Sequence, residues 1–197
     1  MIVGQILLAV LTACGLTQPY VQQSDEAIAA DFQQLQSDSP VEIHRAAERL
    51  LQLGRSDESV REYLARRLPP LIERGPAKKE NPGPWIALVQ LAGDLKIAES
   101  SAALAKWLTI DNIGDISTAG FLKLENNPAG TALVKIGDPA VPALYDVLEH
   151  GTLRERRYAV YALIRIASPR ARSSLLEHQK NESDEELKKL IQRSLSE

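Results

Sequence analysis

The chain has 197 residues, 44% hydrophobic and 25% charged, with aromatics at only 5% and a formal net charge of -3. That length accommodates one domain core or a short repeat array, and the acidic balance disfavours a surface that tracks nucleic-acid phosphates. The single cysteine, Cys14, excludes an intramolecular disulfide and any zinc site built on two cysteines.

No charged side chain occurs before Asp25, and Ile2 to Leu11 is largely apolar. The run has the length of a signal-peptide core and is short for a membrane span. It ends in Leu11-Thr12-Ala13-Cys14-Gly15, which resembles the bacterial lipobox: a Leu, two small residues, then Cys. No Lys or Arg precedes the run. The resemblance implies lipidation of Cys14, and two acyl signals bury enough methylenes for stable anchoring. Three readings stay open here: a lipoprotein signal, secretory cleavage after this segment, and an uncleaved anchor or buried helix. The first is favoured, with residues 1–23 as signal and tether and the chain exported to the periplasmic face of the envelope.

From Ser24 onward the pattern is helical. Ile28, Phe32 and Leu35 share one face of a first helix. Four stretches then repeat a motif of Leu, an apolar residue, a long polar residue and Leu or Ile. They are Arg49-Leu50-Leu51-Gln52-Leu53, Ala87-Leu88-Val89-Gln90-Leu91, Ala132-Leu133-Val134-Lys135-Ile136 and Ala162-Leu163-Ile164-Arg165-Ile166. They recur 38, 45 and 30 residues apart, periods that mark stacked supersecondary units. Turn chemistry follows each: Gly54-Arg55-Ser56, Ala92-Gly93-Asp94, Gly137-Asp138-Pro139 and Ala167-Ser168-Pro169. Second helices then carry Val60, Leu64, Leu68 and Ile72; Ile97, Leu104, Trp107 and Leu108; and Val141, Leu144, Val147 and Leu148 at helical spacing. Gly75 and Gly151 close two of them. Ser39-Pro40-Val41-Glu42 and Ser183-Asp184-Glu185-Glu186 read as capping boxes, the latter opening a last helix through Leu187, Leu190, Ile191 and Leu195.

His44 to Gly54 and Arg156 to Ile166 resemble the first helix of a HEAT repeat, and Ile136 to Leu144 resembles the turn and second helix of the short bacterial HEAT unit. The resemblance spans about Ser39 to Gln179. It implies an all-α, right-handed α-α superhelix of about four helix pairs with terminal capping helices. The repeat domain is read as 24–197, with repeats at about 39–75, 82–109, 117–151 and 152–180 and a cap at 183–197. The resemblance also implies an Asp–Arg ladder between units, with Asp94 and Asp138 in the Asp place and Arg157 in the Arg place.

Arg61, Arg66 and Arg67 with Lys106 are candidates for a basic stripe on the concave wall that second helices line, against a plain solvated face. The connector from Glu73 to Pro84 reads as a solvated loop, with partner recognition as the alternative. Thr109 to Asn127 lengthens one spacing by about fifteen residues, and solenoid insertions often collect on the binding face. Its Asp111-Asn112-Ile113-Gly114-Asp115 lacks the spacing of a calcium loop. His44, His150 and His178 are isolated and read as surface or C-terminal helix residues, and Trp85 and Trp107 as core. No P-loop, GxGxxG or GxSxG motif occurs.

The expected function is therefore a non-catalytic, protein-binding scaffold of the bacterial cell envelope. Its partner would be a protein, its membrane contact the lipid anchor, with no nucleic acid, small-molecule substrate, cofactor or metal. The alternative is a cytoplasmic subunit of a modification enzyme, because the short bacterial HEAT unit is similar to that of bilin lyases.

Overall fold

The computed structural model describes residues 18–78, 80–109 and 127–196, with side chains from Glu26 onward. Ten α-helices and no strand occur among the described residues. They are α1 (Gln18–Gln34), α2 (Pro40–Ser56), α3 (Glu58–Arg74), α4 (Gly83–Asp94), α5 (Ser101–Ala105), α6 (Pro128–Ile136), α7 (Val141–His150), α8 (Leu153–Ile166), α9 (Pro169–Gln179) and α10 (Glu185–Ser196). Single 3-10 turns, Ala98–Ser100 and Asp138–Ala140, lead into α5 and α7. Among the described residues no helix is long and apolar enough to cross a membrane.

The helices lie in two layers. In one, α2 packs on α4, α4 on α6 and α6 on α8; in the other, α3 packs on α5, α5 on α7 and α7 on α9. The α1 helix covers α2, and α10 covers α9 and α8. The repeated motif explains this order. Its first leucines, Leu50, Leu88, Leu133 and Leu163, are all buried. Each such side chain removed from water contributes about 1.5–3 kcal/mol. The last residue of the motif behaves differently along the chain. Leu91 and Ile136 are buried, whereas Leu53 is 38% exposed.

Two glycines expected to end helices lie inside them. A Cβ on Gly54 would stand 2.7 Å from Leu95 Cδ1, and one on Gly93 would stand 2.8 Å from the Ala132 Cα. Gly93 therefore lets the α4 backbone lie directly on α6. With Ala92, Ala129 and Ala132 buried around it, the contact uses almost no side-chain thickness. The α4 helix is consequently apolar nearly all round, with Gln90 as its exposed residue.

The end signals divide in the same way. Ser39 caps α2 by accepting from Glu42 N–H, but the Glu42 carboxylate accepts from the Ser37 hydroxyl instead of closing a capping box. At α10 the cap is Asp184, which accepts from Leu187 N–H at 2.8 Å. A complete box stands at α8, where Thr152 and Glu155 cap each other. Pro69 and Pro70 fall inside α3, where they remove two donors of the helical ladder. The stripe of Val60, Leu64, Leu68 and Ile72 stays buried regardless. Asn127, 1% exposed, accepts from Gly130 N–H at 2.7 Å and donates to Leu108 C=O at 2.5 Å. It ties the start of α6 to the chain just beyond α5.

Two substitutions test this account. Gly93→Ala gains about 1 kcal/mol of helix propensity but forces two backbones apart, and overpacking costs about 1–3 kcal/mol. A net loss is expected, read as a lower Tm; a glycine that merely ended a helix would give the opposite sign. Ala167 closes α8 with φ 54, a left-handed conformation that glycine adopts freely. Ala167→Gly should raise Tm by about 1–4 °C.

Candidate functional site

The second-helix layer holds a trough between α5 and α7 of about 370 Å³. Its floor is built from Ala102, Ala105, Ala143 and Val147, and its rim from Lys106, Asp146, His150 and Glu155. The concavity follows from side-chain size: alanines on the two facing helices leave space that leucines would fill. The rim charges hold local partners. Lys106 Nζ pairs with Glu73 of α3, His150 Nδ1 lies 3.2 Å from Asp146 Oδ1, and Glu155 is engaged with Thr152. Such exposed pairs are worth at most about 1 kcal/mol and are readily exchanged for a partner's groups. An apolar floor edged by both charge signs suits a polypeptide segment better than a phosphate backbone.

Of the four cations that were candidates for a stripe, only Lys106 lines this trough. Arg61 donates to Gly54 C=O at 3.1 Å and pairs with Glu58 at 3.3 Å. Arg66 lies 3.9 Å from Glu62, and the Arg67 guanidinium sits 5.4 Å over the Tyr63 ring. At about 100° per residue, Arg61 and Arg66 stand roughly 140° apart around α3. These side chains decorate α3 separately, each beside its own partner.

The inter-unit polar contacts use different pairs from the Asp–Arg ladder. Asp94 accepts from Lys135 Nζ at 2.6 Å, linking α4 to α6. Asp138 accepts from the Ser168 hydroxyl at 2.5 Å, joining two successive inter-helix turns. Arg157 lies 3.5 Å from Asp184, ahead of α10. Arg49 completes the series by donating to Asp31 of α1, at 2.9 Å through Nε. Cys14 and Asp111 to Asp115 lie outside the described residues.

Trp85 and Trp107 pack against each other edge to face, with centroids 5.6 Å apart. Trp85 is buried, and its indole N–H donates to Ile72 C=O at 3.1 Å in the last turn of α3. His44 and His150 are exposed. His178 lies in the last turn of α9 but is buried, which the sequence did not reveal. Its Nδ1 is 3.1 Å from Glu149 and its Nε2 is 2.8 Å from Glu182. Arg156 grips both Glu182 oxygens at 3.0 Å and also donates to Gly151 C=O at 3.1 Å. The His178–Glu182 spacing is legible as i,i+4. Glu149 and Arg156 arrive from α7 and α8, so only packing reveals the cluster.

Burial by itself would raise the Glu182 pKa. Hydrogen bonds from Arg156, the Asp184 N–H and His178 outweigh it and hold the carboxyl at about 2. The cluster binds α7, α8, α9 and the approach to α10 together, so its role is structural. No group of three His, Cys, Asp or Glu residues suited to a metal ion occurs among the described residues.

With the geometry in place, residues 155–181 match the family model described as the PBS lyase HEAT-like repeat. The match covers most of α8, all of α9 and the first residues after it. No curated protein and no solved structure matches the chain significantly.

The depressed Glu182 pKa makes a signed prediction. The stabilisation should be fully present above about pH 4.5 and fade as pH falls toward 2. Glu182→Gln leaves Arg156 without its carboxylate and should cost on the order of 3 kcal/mol near neutrality. Urea midpoints of wild type and variant should converge as pH drops from 4.5 toward 2.5; a constant gap would contradict the assignment.

Proposed function

We propose that the chain is a HEAT-type right-handed superhelix that serves as a non-catalytic protein-binding scaffold of the bacterial envelope, using the trough between α5 and α7. The observation that carries this reading is the trough itself: an alanine-floored channel in the second-helix layer, rimmed by exchangeable charges of both signs. Stacked helix pairs generate extended surfaces of this kind. The match to a HEAT-like repeat over 155–181 supports the architecture, and the ordered packing of α2, α4, α6 and α8 supports a continuing stack.

The address is the second part of the proposal. Cys14 in its Leu-Thr-Ala-Cys context would carry the lipid, four residues ahead of Gln18, where α1 already begins within the stretch read as a tether. A second reading, a subunit of a modification enzyme related to the PBS lyases, is favoured by the name of the matching repeat. The two readings differ in compartment and in chemistry.

The test is expression of the full chain in a bacterial host as wild type, Cys14→Ser and Ala102→Arg, the last placing a long cation in the trough at an exposed position. Wild type should be processed, labelled by a fatty-acid probe and recovered with membranes together with a crosslinked protein partner. Cys14→Ser should lose the label. Ala102→Arg should keep label and thermal midpoint but lose the partner. Unprocessed wild type in the cytosol overturns the address, and a partner retained by Ala102→Arg overturns the binding face.

A further inference from the structure

A second cavity, away from the trough, lies where the α1–α2 turn meets the end of α3 and the connector into α4. It encloses about 460 Å³, within the size range of small-molecule sites, roughly 300–1,000 Å³. Leu71, Trp85 and Leu88 form its inner surface, with Ala77 and Pro84 closing it from the connector side. Trp85 and Leu88 are 2% and 5% exposed and lie beneath this surface, so the area open to a ligand comes mainly from half-buried Leu71 and Pro84 and from exposed Ala77.

The polar groups sit at the mouth and divide into two kinds. Asp38 is already satisfied: Lys78 Nζ reaches its two oxygens at 3.0 and 2.9 Å, and Asn81 donates to it at 3.2 Å. Asn81 in turn accepts from Gly83 N–H at 3.3 Å. These exposed contacts set the connector beside the α1–α2 turn, and the Asp38 and Lys78 charges cancel. Arg74 is different. It lines the cavity, is exposed, and has no ion-pair or hydrogen-bond partner among the described residues. Gln36 lines the same mouth.

An apolar floor with one uncompensated guanidinium at the mouth specifies a ligand with two ends. The planar fork of Arg binds a carboxylate through two parallel hydrogen bonds, and the floor accepts a hydrocarbon or aromatic body. The volume lies toward the lower end of the small-molecule range and suits a small ligand. We propose that this cavity binds a small amphiphilic monocarboxylate, its acid group held by Arg74 and its apolar body laid on Leu71 and Pro84. The site is independent of the scaffold function: it uses other elements and would operate with or without a partner in the trough.

The test is isothermal titration of the full chain with phenylacetate, indole-3-acetate and octanoate, each beside its neutral primary amide. At least one acid should saturate one site and bind roughly tenfold or more tightly than its amide. Arg74→Gln, an exposed change, should weaken that acid by a similar factor without moving the thermal midpoint. Ala77→Phe, which fills the cavity from the exposed connector, should abolish binding of acid and amide alike. Ala102→Arg should leave acid binding unchanged, which separates this site from the trough. The proposal is overturned if no acid saturates below about 10 mM, if an amide binds as tightly as its acid, or if Arg74→Gln keeps wild-type affinity. Should Ala77→Phe fail to fold, the acid–amide and Arg74 comparisons still decide it.

Discussion

The backbones of α4 and α6 meet at Gly93 and Ala132, closer than any side chain beyond hydrogen would allow, and much of the molecule is arranged around that contact. Because α4 is clasped on one side by α2, on another by α6 and from the second layer by α3, it must be apolar around most of its circumference. Its sequence, Gly-Pro-Trp-Ile-Ala-Leu-Val-Gln-Leu-Ala-Gly-Asp, meets that demand. The remaining first helices follow with alanines at their own contacts, Ala46, Ala129, Ala159 and Ala162 all being buried. Close packing of this kind has little slack, since interiors are filled to crystal-like density. A small change at the α4–α6 contact is therefore felt by the neighbouring pairs.

The second layer is built on a different principle. Here leucines fill the space towards the first layer, as Leu64, Leu68, Leu104, Leu144 and Leu148 show by their complete or nearly complete burial, while the facing sides of α5 and α7 carry alanine. Dense packing on one side and small residues on the other produce a trough without weakening the core. Polar contacts then work chiefly at the ends and between units. Asp31 with Arg49 fastens the first cap, Asp94 with Lys135 links two units, and the Arg156–Glu182–His178 cluster fastens the last pair beneath α10. The exposed members of this set are individually weak. The buried cluster differs because removing one member strands its charged partners away from water.

How much of this was readable beforehand depends on the range of the interaction. The motif leucines Leu50, Leu88, Leu133 and Leu163 announced their own burial because helical periodicity is a local property. Helix starts are less legible: Asp184, one residue after Ser183, caps α10, and a complete box stands at Thr152. Gly54 and Gly93 lie inside helices instead of ending them for a physical reason. Glycine ends helices and also admits a neighbouring backbone, and only the neighbour distinguishes the two. For the basic residues of α3 a stripe and a plain solvated face both stay open in the sequence, because sequence proximity says little about direction around a helix. The trough and the Arg74 cavity had no linear signature at all, being assembled from segments tens of residues apart.

The amino-acid sequence by itself determined the helical class, the repetition of helix pairs and the identity of most core residues, since these follow from spacing, propensity and turn chemistry along one strand of chain. Tertiary structure alone decided which glycines serve packing, which charges meet, and where the surface is hollow. Asp138 pairs with Ser168, Arg157 with Asp184, and His178 with Glu149 because stacking brings together residues some 30 positions apart. Local rules carry no information about such meetings. They are set by how one helix pair seats on the next, and that seating depends on the few ångströms of clearance that Gly93 and its surrounding alanines leave.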